Sequence, residues 1–400
     1  MSSNQRIFYA CQAVAITNHG DTSVEPTDMV HGVQSVGVNT TFNLEQAFEL
    51  GQIEIYENIE GTPDIEVTLE KVLDGYPLIY HMATQGPLAG LANSGLAARS
   101  KEQCDLRLGI FDESSSNVAS AKDNSGKAEV EIYCSGLFVS SVSYTVPVDG
   151  NATESVTLIG NNKTWLTAGD VKMDNDVVAA FNGSNIPKAL GLAATGVNQL
   201  AASGGIQRRE DVMLSGCIFP RSINGVEGSG YGNALNFADG SPRIHVQSFS
   251  CSTDFSREDV FELGRKTPYY RPASFPVEVS TEIEAITISG DFISATEAGD
   301  SALHSTVDSG NNTQAENIFL LLRCGYAFDL GNKNRLASLT YGGGDAGGGN
   351  VSVSYSFTNF NELDVQDWTK CGYIGFDALK QGISAGLAGG FPTGIGFTNP

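Results

Sequence analysis

A few groups of residues in this sequence have types that could do chemistry. Residues 382–386 (Gly-Ile-Ser-Ala-Gly) match the G-x-S-x-G motif that presents a nucleophilic serine in many hydrolases. That mechanism needs a histidine after the serine, and the last histidine of the chain is His304. No strand pattern leads into the motif either. We therefore expect an ordinary glycine-rich tail here.

The sequence also gives little indication of a metal site or a phosphate-binding site. No two histidines are spaced as i and i+4, and none is paired with a cysteine. Asp170, Asp174 and Asp176 fit no calcium-loop frame. Residues 228–232 lack the preceding strand and the lysine of a phosphate loop. We expect no cofactor, no metal and no enzymatic activity, although a zinc site assembled only by the fold stays an alternative. The histidines are His19, His31, His81, His245 and His304.

Composition limits the class of protein. The chain has 400 residues, 41% of them hydrophobic, and 46 glycines, which suits two ordinary cores built from short strands and turns. The start, Met-Ser-Ser-Asn-Gln-Arg, predicts no secretory signal, and no apolar run is long enough to span a membrane. With no predicted signal, the seven cysteines are expected to be buried free thiols.

The charge of the chain excludes one function and leaves two interpretations open. The formal net charge of −23 argues against a DNA-binding protein, because DNA is itself a polyanion. The acidic surface could serve solubility alone. It could instead keep a phosphate-bearing partner from adhering while it passes.

The strongest signal in the sequence is an internal repeat. Residues 33–63 recur at 246–276 without a gap, with 12 of 31 positions identical, where about two would match by chance. Residues 65–70 match 277–282, and Ser-Val-Ser-Tyr at 141–144 recurs at 352–355. The chain is therefore predicted to contain one β-rich unit twice, and such repeats are typical of assemblies.

The repeated blocks predict the same elements in the same order. Residues 31–41 predict a strand. Residues 43–51 and 256–264 predict a short capped helix that ends at Gly51 or Gly264, anchored by Phe48 and Leu50 or by Phe261 and Leu263. Weaker patterns predict a helix within 88–103, a hairpin turn at 121–127, strands at 128–146 and 350–358, and a turn or loop at 342–349.

The alternation of apolar and polar residues is clearest after Pro63 and Pro276, the two prolines of the repeat. Apolar residues alternate with acidic and hydroxyl residues over 65–70 and over 277–284, as in an antiparallel sheet with one solvated face. The wet faces carry Glu66, Glu70, Glu278 and Glu282. As paired carboxylates they could suggest a glycosidase. Their duplication on regular strands favours a charged surface.

These elements divide the chain into four predicted parts. Residues 1–170 form the first domain, 171–211 a linker or inserted loop, 212–378 the second domain and 379–400 a glycine-rich arm. The predicted class is mainly β (α+β), as two tandem antiparallel β-barrel or sandwich domains with one or two short helices each.

The order V-Q-S strand, helix ending in F-E-L-G, P-x-(x)-E-V strand and closing S-V-S-Y hairpin resembles the tail tube proteins of tailed phages, whose fold is shared with the tube of type VI secretion systems. The resemblance implies a structural subunit of a viral tail tube, located in the virion and assembled in the host cytoplasm. It further implies self-association into stacked trimeric (pseudo-hexameric) or hexameric rings that contact other tail proteins, with no membrane partner.

In that arrangement the lumen conducts DNA during ejection without binding it specifically, and the four glutamates are candidates for its wall. The bridges between rings would come from 166–211, the loop near 345 and the tail after 378. The alternatives are another tail component (tube initiator, hub or terminator) and a β-sandwich adhesin or carbohydrate-binding protein. Exposed aromatic platforms would support the adhesin, but the chain has only Trp165 and Trp368 as tryptophans.

Overall fold

The structure is a computed structural model of the 400-residue chain. It describes residues 9–51, 53–84, 95–111, 127–174, 205–214, 244–287, 318–331, 333–342 and 350–367. The fold is mainly β, as predicted. The strands are β1 Gln12–Asn18, β2 Val33–Thr41, β3 Leu44–Phe48, β4 Ile55–Glu60, β5 Asp64–Val72, β6 Cys104–Ile110, β7 Val130–Pro147, β8 Thr153–Gly160, β9 Asn162–Thr167, β10 Val212–Leu214, β11 Ile244–Asp254, β12 Glu278–Thr287, β13 Phe319–Leu322, β14 Tyr326–Asp329, β15 Arg335–Gly342, β16 Ser352–Phe360 and β17 Asp364–Asp367.

Helices are few and short. The α-helices are α1 Ile79–Ala83 and α2 Leu96–Arg99, and short 3₁₀ turns occur at Tyr9–Cys11, Pro26–Asp28, Ala168–Asp170 and Arg209–Asp211. Within the described ranges, no helix has the length and apolar character that a membrane crossing requires. The helix predicted within 88–103 overlaps α2, and residues 85–94 lie outside the described part.

The chain forms two compact units, each assembled from separate segments. Unit 1 contains residues 1–142, 154–195 and 254–277, and unit 2 contains 143–153, 196–253 and 278–400. The linear boundaries predicted at 170, 211 and 378 stay predictions. Most of the predicted linker, the 121–126 turn, the 343–349 loop and the 379–400 arm lie outside the described residues.

Unit 1 is built from two sets of paired strands. One follows the order β7-β8-β5-β2, and the other joins β1 to β6, β6 to β7 and β7 to β9. Residues 130–135 of β7 pair with β9, and residues between 130 and 137 pair with β6. In β5, Ile65, Val67 and Leu69 are buried while the residues between them are exposed, so the predicted alternation over 65–70 is confirmed.

Unit 2 also contains two sets of strands. One follows the order β15-β16-β12-β11, and the other forms a four-stranded sheet in the order β10-β13-β14-β17. β11 also pairs with β7, whose last residues, 143–147, belong to the same unit. The alternation predicted over 277–284 is confirmed, since Val277, Val279 and Ile283 are buried on β12 or next to it.

The two halves of the chain have the same strand order. β1, β6, β7 and β9 correspond to β10, β13, β14 and β17. β2, β5, β8 and β7 correspond to β11, β12, β16 and β15. The long strand β7 serves both sets in the first half. In the second half its two parts are the separate strands β14 and β15.

The repeated Val-Gln-Ser motif forms the same local structure twice. The pairing of β2 with β5 slips between Val33 and Ser35, and the pairing of β11 with β12 slips between Val246 and Ser248. In both bulges the glutamine side chain donates to the carbonyl oxygen two residues earlier. The distances are 3.2 Å from Gln34 Nε2 to Gly32 O and 3.3 Å from Gln247 Nε2 to His245 O. The motif therefore encodes a β-bulge.

The predicted helices at 43–51 and 256–264 are wrong. The first block forms a hairpin of β3 and β4, and the second is a loop closed by one bridge between Val260 and Tyr270. Asn43 does not cap a helix, because its side chain donates to Thr62 O (3.0 Å) and to Asp64 Oδ2 (2.8 Å). The glycines predicted as left-handed do have positive φ, 97° at position 51 and 87° at position 264, but in turns.

Two finer parts of the repeat alignment also need correction. The tetrapeptide at 141–144 lies in β7, whereas its copy at 352–355 lies in β16, which corresponds to β8. The alignment of 65–70 with 277–282 is displaced by two residues. Val38 pairs with Val67 and its counterpart Cys251 pairs with Thr281, so Val67 corresponds to Thr281. A shift of two keeps each side chain on the same face.

Candidate assembly surfaces

The four predicted glutamates lie where strand alternation places them. Glu66 and Glu70 are exposed on β5 in unit 1, and Glu278 and Glu282 are exposed on β12 in unit 2. Glu284, which was not among the predicted four, continues the row on β12 and is also exposed. Their position on a lumen wall stays a prediction.

Hydroxyl side chains surround these carboxylates. Ser35 Oγ donates to Glu70 Oε2 at 3.3 Å, and Ser354 Oγ donates to Glu282 Oε1 at 2.7 Å. In unit 2 the strands on either side of β12 add further hydroxyls to the same face. These are Ser248, Ser250 and Ser252 on β11 and Ser352, Ser354, Ser356 and Thr358 on β16. The face is thus mainly acidic and hydrophilic, and Arg335 on β15, which pairs with Thr358, adds an exposed cation at its edge.

A second surface is apolar and was missed by the sequence reasoning. We call residues 42–62 arm 1, which contains the hairpin of β3 and β4. Its large apolar side chains lie outward, and the predicted anchors Phe48 and Leu50 are 68% and 103% exposed. The anchor prediction is therefore wrong. The exposed set is Phe42, Leu44, Phe48, Leu50, Ile53, Ile55, Tyr56 and Ile59.

We call the matching residues 255–276 arm 2, and this arm is fixed at its base within unit 1. Phe255 is fully buried, and its backbone N–H donates to Ser140 O on β7 at 2.8 Å. The tip is exposed, with Phe261 and Leu263 at 59% and 105%, so these two residues do not anchor it either. The two arms have similar tips and different bases.

Two arginines hold arm 2 in place. Arg257 donates from Nε to Val139 O (2.7 Å) and from Nη1 to Arg271 O (2.9 Å), and its guanidinium lies 4.7 Å from the centre of the Phe138 ring. Burial lowers the pKa of Arg257 to about 10, so the group stays charged at neutral pH. Arg271 is almost wholly buried and forms ion pairs with Asp64 (3.0 Å) and Asp259.

Asp64 connects the bases of both arms. Besides Arg271, it accepts hydrogen bonds from Asn43 Nδ2 (2.8 Å) and Asn161 Nδ2 (3.1 Å). Close by, Thr62 Oγ1 at the end of arm 1 donates to Lys266 O of arm 2 at 2.8 Å. Three donors satisfy the hydrogen-bonding needs of the Asp64 carboxylate. The cluster therefore fixes the positions at which the two arms leave the sheet.

Two of the histidines contact buried aspartates. His19 Nδ1 lies 2.8 Å from Asp105 Oδ1, and Asp105 also accepts from Tyr133, Gly20 and Gly136. His31 Nδ1 lies 2.5 Å from Asp74 Oδ2. His81 is buried on α1 and His245 lies on β11, while His304 is outside the described part.

Other predicted chemical groups are dispersed or undescribed. Among the described residues, no group of three His, Cys, Asp or Glu side chains could hold a metal ion. Residues 228–232, 382–386 and Asp176 lie outside that part. Five cysteines are buried free thiols, as expected, and Cys217 and Cys371 are outside it. The five are Cys11, Cys104, Cys134, Cys251 and Cys324.

Comparisons with known proteins give a partial similarity of fold. No family model and no curated protein matches the sequence. Among solved structures, the tube-terminating cap of the anti-feeding prophage is 16% identical and covers 42% of this chain and 95% of its own, at a TM-score of 0.29. Two structures from an extracellular contractile injection system (PVC) cover the same share of this chain at the same TM-score. They are its sheath-tube complex, 11% identical over 95% of that chain, and its sheath/tube terminator, 12% identical over 100%. Similarities of this size do not by themselves identify a function.

Proposed function

We propose that this protein is a non-enzymatic structural subunit of a phage-tail-like tube and that its copies join edge to edge into a ring. The proposal rests on the strand order that the two halves share and on β2 and β15, the two strands at the ends of the sheet. In the described residues, β2 pairs only with β5 and β15 pairs only with β16. An open edge of this kind is a ready site for strand pairing.

The chain already contains the pairing that would join two copies. β11 corresponds to β2, and β11 pairs with β7, whose second part corresponds to β15. β2 of one copy would repeat this pairing on β15 of the next. Each copy would use β2 on one side and β15 on the other, so such contacts are head-to-tail. They form a closed ring when the rotation between neighbouring copies divides a full turn.

The repeat suggests the symmetry of the ring. If the two halves arose by duplication, three copies would supply six similar units and give a pseudo-hexamer. The shared bulges and the shared strand order support the duplication. A ring of six whole chains is the alternative, and the two differ twofold in mass.

In this proposal the acidic, hydroxyl-rich face lines the channel. Glu66, Glu70, Glu278 and Glu282 would then repel a phosphate backbone at every ring, so that DNA slides through without being trapped. The particle would be a virion tail or a related tail-like structure assembled in the host cytoplasm, with other tail proteins at its ends.

Electron microscopy of the purified full-length protein tests the proposal. We expect hollow rings, or tubes of stacked rings, with three chains per ring by mass measurement. Stacked tubes favour the main tube subunit, and single rings favour a terminator or initiator. A protein that stays monomeric up to high concentration contradicts the proposal. A reconstruction that places the four glutamates on the outer wall contradicts only the channel assignment.

A further inference from the structure

The two arms begin with the same residue in opposite environments. Phe42 and Phe255 occupy matching positions, each the tenth residue of its repeat block. Phe42 is 70% exposed, whereas Phe255 is 0% exposed. The two rings differ in what packs against them.

Phe255 is buried because arm 2 docks on strand β7. Its backbone N–H bonds to Ser140 O, and Ser274 N donates back to Phe255 O at 3.1 Å. The Arg257 guanidinium lies 5.5 Å from the centre of the Phe255 ring, and it also covers the buried Phe138. This junction is a contact of the second repeat block with the first half of the chain.

Arm 1 has the apolar part of that junction without its cations. Leu44 stands where arm 2 has Arg257, and Asn58 stands where arm 2 has Arg271. Leu44 is 62% exposed, and Ile59 at the base of the hairpin is 47% exposed. Ile59 pairs with Glu45 and therefore lies on the other face of the hairpin from Leu44, which pairs with Glu60. Phe42 and Leu44, two residues apart, form an exposed apolar patch, the usual mark of an interaction site.

The sequence of arm 1 disfavours some partners for this patch. Residues 42–62 contain five glutamates and no lysine or arginine. An anionic membrane surface or a nucleic acid would be repelled by that charge. A protein surface equivalent to the part of β7 that accepts arm 2 is the better fit.

We propose that Phe42 and Leu44 dock against β15 of a neighbouring copy of this chain, as Phe255 docks against β7 within its own chain. This inference rests on the proposed ring and adds the residues that close it. Because Leu44 replaces the arginine, arm 1 brings no cation of its own to the contact between copies. The junction inside the chain is therefore fixed, while the one between chains remains reversible.

The first test compares full-length wild-type protein with the variant Phe42→Ser and the control Phe48→Ser. Phe48 is equally exposed on arm 1, but its counterpart Phe261 is exposed in arm 2, so that position lies outside the junction. Analytical ultracentrifugation gives the concentration at which rings form. We expect Phe42→Ser to raise it at least about tenfold and Phe48→Ser to change it less than about twofold. Thermal unfolding of the monomer should stay within about 2 °C for both variants.

The second test locates the partner directly. A photo-crosslinking benzoylphenylalanine at position 42, in a mixture of isotope-labelled and unlabelled chains, should give crosslinks between chains to residues 335–342. Rings formed by Phe42→Ser at the wild-type concentration overturn the inference and leave the proposed function intact. Crosslinks only within one chain, or to added lipid vesicles, overturn it as well. A wild-type protein that forms no rings overturns both.

Discussion

Arm 1 and arm 2, identical at 7 of 21 aligned positions, show how two related sequences reach different structures. Both carry Phe-Glu-Leu-Gly at the tip with a left-handed glycine, and both tips are exposed. At the base, arm 1 is a regular hairpin, whereas arm 2 is a loop fixed by Arg257 and Arg271. The tertiary partner, and not local propensity, decides whether the base is buried.

The largest expected effect tests whether Phe255 belongs to the core and Phe42 does not. Phe255→Ala removes a fully buried ring, and we expect it to lower the free energy of unfolding by about 4 kcal/mol. Phe42→Ala should change the same quantity in the monomer by less than about 0.5 kcal/mol. Urea denaturation followed by circular dichroism measures both. Equal losses in the two variants would show that the two bases do not differ.

A smaller effect is expected where arm 2 is held by charge. Arg271→Met leaves Asp64 and Asp259 without their cation, and we expect a loss of about 2 kcal/mol in the free energy of unfolding. This value is below that for breaking a fully buried pair, because both carboxylates retain contact with water.

The matched control for Arg271 lies in the same arm. Arg265 pairs with Glu262 at 3.6 Å with both side chains about half exposed, so Arg265→Ala should cost less than about 0.5 kcal/mol. If both substitutions have the same small effect, the Asp64 junction does not fix arm 2.

Much of the sheet could be predicted from the sequence because alternation reports directly on burial. β5 and β12 bury every second residue, which leaves a clear period of two. The repeat also located β2 and β11 correctly. The bulge at Gln34 and Gln247 is present in both copies and does not displace the alignment. The connection from β11 to β12 is one residue longer than the connection from β2 to β5, whereas the match of 65–70 with 277–282 makes it one residue shorter, so the two strands are aligned two residues out of place.

The arms could not be predicted because their apolar residues serve no core in the monomer. The sequence predicts a helix here from the capping residues Asn43 and Gln46 and from Gly51 at its end, with Phe48 and Leu50 as the side chains that anchor it to the sheet. Exposed apolar residues follow no burial period, so the pattern misleads. The role of Arg271 was also hidden, since its partners Asp64 and Asp259 lie 207 and 12 residues away in sequence.

The pH dependence of stability extends the comparison to the ends of β5 and β12. Lys71 is opposite Val33, and its Nζ lies 3.1 Å from Asp74 Oδ1, whereas the matching pair in the second half is Val246 and the apolar Ala285. Burial alone would raise the pKa of Asp74, but the hydrogen bond from His31 and the charge of Lys71 outweigh it and hold the pKa below its usual range. The stabilisation is therefore present above the unfolded pKa of about 4 and is lost as the pH falls through the folded pKa.

The variant Asp74→Asn should be less stable than wild type at pH 7, and the difference should shrink as the pH falls below about 4.

Asp329 on β14 is a control because its pKa is shifted in the opposite direction. Burial raises its pKa, the Gly331 N–H opposes this, and Asp364 and Glu362 add to it. Its ionised form therefore costs stability at neutral pH. Asp329→Asn should thus be at least as stable as wild type at pH 7, with any gain lost in acid. Urea denaturation between pH 7 and pH 3 measures both, and a difference for Asp74→Asn that does not change with pH would mean that the cluster is not held by charge.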